Sequence, residues 1–214
     1  MILHDISPLV DERVAVWPGD SPFAAKDLLR LEDGDSVHLS TITLSCHTGA
    51  HADAPCHYAR GGDSIESAVL ERYLGPCVLI DVVLGGVLGV TPDHVAALDE
   101  ETLRACPRVL LRTGCMTDRT VFPERVTHLT PELVDHLADR GVVLIGIDSP
   151  SVDDFTSKDL PSHHALARRG VANLECLALA GVPAGTYELI ALPLKLAGRD
   201  ASPVRAVLRP LSGT

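Results

Sequence analysis

Apolar and polar positions along this chain change period several times, and each change marks an element. The run CVLIDVV (77–83) is nearly continuous in branched aliphatic residues and predicts a buried strand. VLLRT (109–113), VVLIGI (142–147) and VANLEC (171–176) predict three more, and VVLIGI, the most hydrophobic, is expected at the centre of the sheet. ILHDI (2–6), VHLSTITLSC (37–46), YELIALP (187–193) and VRAVLR (204–209) read as the remaining strands. A helical period governs PELVDHLADR, where Leu133, Val134 and Leu137 share a face; Thr130-Pro131 starts this helix and Gly141 ends it. Thr91-Pro92 predicts another helix, through about Leu98. LPSHH leads into a short one that Gly170 stops, and a brief helical pattern follows the glycine turn in YARGGDSIESAVLERYLG. Turn-rich loops fill 7–23, 84–90, 114–128 and the Asp148–Ser151 corner. No repeat, low-complexity run or linker divides the chain. The expectation is α/β: a single domain over 1–214, with a mixed β-sheet and flanking helices.

Composition narrows the function more than the fold. A chain of 214 residues, 46% hydrophobic and 22% charged, has room for one substantial core. Aromatics are only 3%, so that core must be aliphatic. A net charge of −11 argues against a nucleic-acid backbone or an anionic membrane as partner. No apolar run approaches 18 residues, and the opening MILHDISPLVDERV has acids where a secretory signal has bases. A cytoplasmic protein is expected, with its six scattered cysteines as free thiols.

The chemistry concentrates in ITLSCHTGAHADAPCH (42–57), which carries His47, His51, Asp53 and His57. Imidazoles and carboxylates are ligands suited to zinc and its first-row neighbours. The i, i+4 spacing of His47 and His51 would suit a helix. Gly49, Pro55 and the β-branched lead-in favour an extended chain instead. All four residues then share one parity and project the same way, unless a bulge intervenes at Gly49. Cys46 and Cys56 fall on the opposite face as small packing residues. One histidine on a strand is usually structural, but four such groups packed together need partners, a metal or a catalytic task. Downstream, Glu175 interrupts an apolar strand, so it requires either an arginine or a metal beside it. His163 precedes it at the start of the short helix, and the adjacent His164 is chemically equivalent. Asp148 reads first as a turn cap. Trp17, the only tryptophan, sits among turn residues; it fits the core or the wall of a pocket for a planar aromatic substrate.

HTGAHADAPCH resembles the H-x-G-T-H-x-D-x-P-x-H signature of the metal-dependent cyclase-like hydrolases. The likeness extends over nearly the whole chain to the bacterial arylformamidases (kynurenine formamidases) of that superfamily. It is carried by DISP, VWPGDSPF, YLGPCVLID, VLLRT, LIGIDSPSVD, SKDLPSHHA and YELIALPLKLAGRDASPVRAVLR. Ala50 departs from the motif's threonine, at a position with no proposed ligand. The resemblance implies the swivelling β/β/α-like fold of the cyclase family, a homodimer and two Zn2+ per subunit. His47, His51 and Asp53 would hold one zinc. Asp53, His163 and Glu175 would hold the other, with Asp53 and Glu175 bridging. His163 rather than His164 fits the family's spacing to the glutamate. His57 would be the proton shuttle and Trp17 a substrate contact. The implied reaction is hydrolysis of N-formyl-L-kynurenine to L-kynurenine and formate in tryptophan degradation. The rivals are another amidohydrolase of the superfamily, such as one opening an isatin-type cyclic amide, and a metal-binding module without catalysis.

Overall fold

The computed structural model describes residues 3–211. Its strands, in chain order, are β1 (His4–Asp5), β2 (Ala24–Leu29), β3 (Leu39–Thr43), β4 (His51–Asp53), β5 (Leu74–Asp81), β6 (Gly89–Val90) and β7 (Arg108–Arg112). They continue with β8 (His128–Leu129), β9 (Leu144–Ile147), β10 (Ala172–Leu174), β11 (Gly185–Ile190), β12 (Ala201–Pro203) and β13 (Val207–Pro210). Three helices accompany them: α1 (Glu100–Ala105), α2 (Pro131–Asp139) and α3 (Pro161–Arg169).

Seven strands form one sheet in the order β1-β13-β11-β5-β7-β9-β10. The half from β1 to β5 is antiparallel, and the half from β5 to β10 is parallel. The mixed α/β sheet is therefore as expected. Side-chain alternation sorts its core into two layers. Val78, Val109, Leu111, Ile145 and Ile147 pack with Leu103 of α1, Leu133, Val134 and Leu137 of α2, and Leu166 of α3. Their neighbours Leu79, Leu110, Leu144 and Leu174 face the other way, onto Ala50, Ala52 and Ala54. One face is thus covered by helices and the other by the motif segment.

The motif is held there by a small ribbon. β12 pairs antiparallel with β4, aligning Ala201 with Asp53 and Pro203 with His51. A single bridge ties β4 to the end of β10: the amides and carbonyls of His51 and Glu175 exchange hydrogen bonds of 3.3 and 3.0 Å.

Several expectations are corrected. β9 lies next to the edge, and β5 occupies the middle of the sheet. VVLIGI is wholly apolar because both of its faces are covered, and cover on two faces does not specify place in the order. The strand expected over 37–46 is shorter. It pairs with β2, which lies in a stretch given no element from sequence, as a hairpin with no buried residue. It stops at Thr43, so it does not run on into the histidines. The helix expected from Pro92 to Leu98 is one 3-10 turn (Pro92–Val95); the α-helix starts later, where the Asp99 carboxylate accepts from the Thr102 amide at 2.7 Å. The pattern after the glycine turn gives two 3-10 turns, Ile65–Ser67 and Leu70–Arg72. α2 and α3 form as expected, with Gly170 left-handed at φ 63° behind α3. Ile2, in the expected first strand, lies outside the described residues.

Candidate metal centre and active site

Four segments converge on one side of the β4 ribbon. Within β4 the alternation is strict: Ala50, Ala52 and Ala54 enter the core, while His51 and Asp53 point the opposite way, both buried. His47 arrives by a turn rather than by strand parity. Gly49 takes φ +67°, and a Cβ there would stand 3.0 Å from Val10 Cγ2. His57 closes a 3-10 turn, Pro55–His57, begun by proline. One continuous extended run over 42–57 is thus corrected. The four side chains still gather, because a left-handed glycine and a proline turn fold both ends back over β4.

His163 comes from the first turn of α3. That helix has no side-chain cap at Leu160; the Asp153 carboxylate reaches its free amides instead, accepting from Ser162 N at 2.8 Å and His163 N at 2.9 Å. The same carboxylate lies 2.7 Å from His163 Nδ1, which turns Nε2 inward. His164 is exposed on the helix's other side. Glu175 follows β10, and its carboxylate accepts from Val152 N at 2.9 Å and Asn173 Nδ2 at 3.2 Å. Asn173 also donates to Asp53 at 2.7 Å. The arginine partner that sequence allowed for Glu175 is absent from these contacts; histidines occupy that place.

The inner contacts are short but poorly directed. His51 Nε2 lies 3.5 Å from Asp53 and 3.3 Å from Glu175; His163 Nε2 lies 3.5 Å from each of the same carboxylates. His47 Nδ1 is 3.1 Å from Asp53 Oδ1. Yet His51 Nε2, Asp53 Oδ1 and His163 Nε2 are buried without a well-formed hydrogen bond. Buried polar atoms with no partner are costly unless something else sits among them. Three groups could each hold a metal ion, with ligand atoms within 4.8 Å of one another: His47, His51 and Asp53; Asp53, His163 and Glu175; and, less buried, His47, His57 and Asp200. Imidazole and carboxylate donors fit a divalent first-row cation, so the residues pass this test.

Charge tells the same story. Burial would strip His163 of its proton, but Asp153, Asp53 and Glu175 outweigh it and push its pKa up to about 12. Burial likewise opposes charge on His51, and its partners Cys176, Glu175 and Asp53 raise it well above the ordinary value. Asp53, despite burial, is held well below the usual carboxylate range by His163 and His47. Without a cation the site keeps its carboxylates charged by protonating the imidazoles, and a metal ion would take the place of those protons.

Above the cluster lies a cavity of about 270 Å³, bounded by His47, His51, His57 and Glu175 below and by Trp17 and Phe122 above. The Trp17 ring is 5.2 Å from Phe122 and 5.1 Å from Phe155. Trp17 is therefore pocket wall. His57 stands between the rings of His47 (4.3 Å) and His163 (6.0 Å).

The Cyclase family model matches residues 4–154. The chain belongs to the cyclase family. A kynurenine formamidase from Polaromonas naphthalenivorans (strain CJ2) is 50% identical over 210 residues, covering 98% of this chain and 92% of that protein. Among solved structures, a predicted metal-dependent hydrolase from Bacillus stearothermophilus superposes with TM-score 0.79 at 29% identity, covering 97% of each chain. Isatin hydrolase A from Labrenzia aggregata, bound to benzyl benzoate, gives TM-score 0.80 at 26% identity, covering 97% of this chain and 93% of that one.

Within this cyclase-family site, His47, His51, Asp53, His57, His163, Glu175 and Trp17 are all brought together. Ala50, the departure from the motif, faces the core rather than the metal groups. Asp148 caps the turn after β7, accepting from the Thr113 and Gly114 amides at 2.9 and 2.8 Å. All six cysteines are free, as expected. Sequence reading missed Asp153, Asn173 and Asp200, although Asp153 and Asp200 lie in stretches that carry the family likeness. Phe122 and Phe155 had no signal; only folding brings them to Trp17.

Proposed function

We propose that the chain is a kynurenine formamidase that hydrolyses N-formyl-L-kynurenine to L-kynurenine and formate in tryptophan degradation, as a cytoplasmic homodimer with two zinc ions per subunit. The observation that carries the substrate is the 50% identity to a kynurenine formamidase across almost the full length of both proteins. For the metals, the support is the set of partnerless buried atoms on His51, Asp53 and His163.

His47, His51 and Asp53 would hold one cation, and Asp53, His163 and Glu175 the other. Cations there supply Lewis acidity, lowering the pKa of water and polarising the formyl oxygen. The protein's own groups do the rest. Trp17 and Phe122 give the aromatic ring of the substrate a flat wall and keep solvent from it. His57, at the cavity edge, takes a proton from the attacking water and delivers it to the departing aniline nitrogen. A pure metal-binding module would have no use for such an imidazole beside a completed ligand set. Among the described residues, no helix is long and apolar enough to cross a membrane. The exposed hairpin β2–β3 supports the dimer: it projects Leu31, Val37, Leu39 and Ile42 outward, with Leu31 59% and Ile42 57% exposed.

A second reading, opening of an isatin-type ring, is favoured by the superposition on isatin hydrolase A. Purified protein given each substrate separates the two. The expected result is release of kynurenine, followed by absorbance, which stops with chelator and returns with zinc. Turnover that survives complete metal removal, or that favours isatin, overturns the proposal.

A further inference from the structure

The loop before β12 carries a carboxylate outside the two buried metal groups, Asp200, which also gathers with His47 and His57 into a third, more exposed group. Asp200 Oδ2 lies 3.1 Å from His47 Nε2 and 3.4 Å from His57 Nδ1. Its place is set by backbone, not by chance contact at the surface. The Ala54 amide donates to the Asp200 carbonyl at 2.8 Å, and the next residue, Ala201, pairs with Asp53. The Ile65 amide holds the neighbouring Arg199 carbonyl at 2.9 Å. The strand register that fixes His51 and Asp53 therefore also fixes Asp200 between the two outer imidazoles.

We infer that Asp200 is the positioning residue of the proton shuttle, fixing the tautomer and ring orientation of His57. This inference rests on the formamidase reading above. An ionised carboxylate can only accept hydrogen bonds. The 3.4 Å contact lacks hydrogen-bond geometry as it stands, but a small turn of the half-exposed His57 ring would let Nδ1–H donate to Asp200, which leaves the lone pair of neutral His57 on Nε2. A single tautomer at the cavity edge is what a general base needs, and the same carboxylate stabilises the imidazolium formed when the proton arrives. The contact to His47 serves a second end. His47 directs Nδ1 toward Asp53, so its outward Nε2–H is free to donate to Asp200. One carboxylate thus keeps shuttle and ligand in fixed relation while the proton moves.

The competing explanation is that Asp200 merely steadies His47 and hence the metal. The two are separated by leaving group. The aniline nitrogen of N-formyl-L-kynurenine must be protonated to depart, whereas the 4-nitrophenolate of 4-nitrophenyl formate leaves without a proton. Asp200→Ala and Asp200→Asn should be purified with zinc and assayed on both substrates, with metal content and melting temperature measured alongside. The expected result for Asp200→Ala is a fall in kcat of about 10²-fold on the formamide. The ester, which needs His57 as base but not as acid, should fall less, KM should change little, and bound zinc should equal the wild type's. Asp200→Asn, which keeps the shape and one acceptor, should lie between, and it carries the test if the alanine variant does not fold. Equal losses on both substrates, loss of zinc, or unchanged formamide turnover would each overturn the inference. If the wild-type enzyme ignores N-formyl-L-kynurenine but cleaves formanilide or isatin, the substrate reading falls, and the anilide-to-ester ratio is read on that amide instead.

Discussion

At the scale of single residues, the proposed site divides into groups that hold cations and groups that handle protons. His51 and Asp53 are buried in β4, with inner atoms that lack hydrogen bonds. His51→Ala or Asp53→Ala removes a donor that no neighbour can replace. Each variant is expected to lose bound zinc, measured by elemental analysis, together with activity. His57 stands apart: its ring nitrogen faces Asp200 rather than Asp53 or Glu175. His57→Ala should keep both metals and lose about 10²–10⁴-fold in kcat. Full activity in that variant would remove the imidazole from the mechanism. The gathering of these residues was foreseeable from residue type and spacing, and their separate roles are what the family resemblance implies. The orienting groups were not foreseeable. Asp153, Asn173 and Asp200 act through partners 10, 120 and 153 positions away, and nothing local in the sequence marks such pairs.

At the scale of elements, long periodic runs were legible and short irregular ones were not. α2 follows its apolar stripe and its Thr130 cap, and β7 and β9 follow their aliphatic runs. The motif itself was read as one extended strand because alternation puts 47, 51, 53 and 57 on one face. Only 51 and 53 obey it; Gly49 in its left-handed conformation and the Pro55 turn supply the other two. Parity gave the right gathering by a wrong route, since a glycine says that a bend is permitted and not which way it goes. β12 was missed because three residues, Ala-Ser-Pro, have no strand signal until β4 lies beside them. Gly146 is the element-scale test. It sits in β9 facing the layer on the motif side, and a Cβ there would meet Leu110 Cδ2 at 2.5 Å and Leu177 Cδ1 at 2.8 Å. Both leucines are fully buried and have nowhere to retreat. Gly146→Ala should therefore cost roughly 1–3 kcal/mol by overpacking. In a thermal melt that is a fall of roughly 2–12 °C for a domain of this size. An unchanged melting temperature would mean that Leu110 and Leu177 give way more easily than this packing allows.

For the whole molecule, the metals would act as a staple. Asp53 lies in the first third of the chain, and His163 and Glu175 lie in the last; between them only one backbone bridge, His51 to Glu175, crosses the cluster directly. A cation bound by the native arrangement, and not by the unfolded chain, stabilises in proportion to its affinity and concentration. Chelation should lower the melting temperature of the wild type, and excess zinc should restore it. Asp53→Ala, which removes the residue common to both buried groups, should melt at nearly the same temperature with and without chelator. The hairpin β2–β3 poses the other question at this scale. It carries no buried residue, which is unusual for a paired ribbon with leucine, valine and isoleucine along it. A second copy of the chain covering that surface would account for the composition. Leu39→Glu with Ile42→Glu leaves the sheet and both core layers untouched, because neither residue belongs to them. Sedimentation should show a wild-type dimer and a folded monomeric variant. A monomeric wild type would end the dimer proposal; a dimeric variant would move the interface to another face.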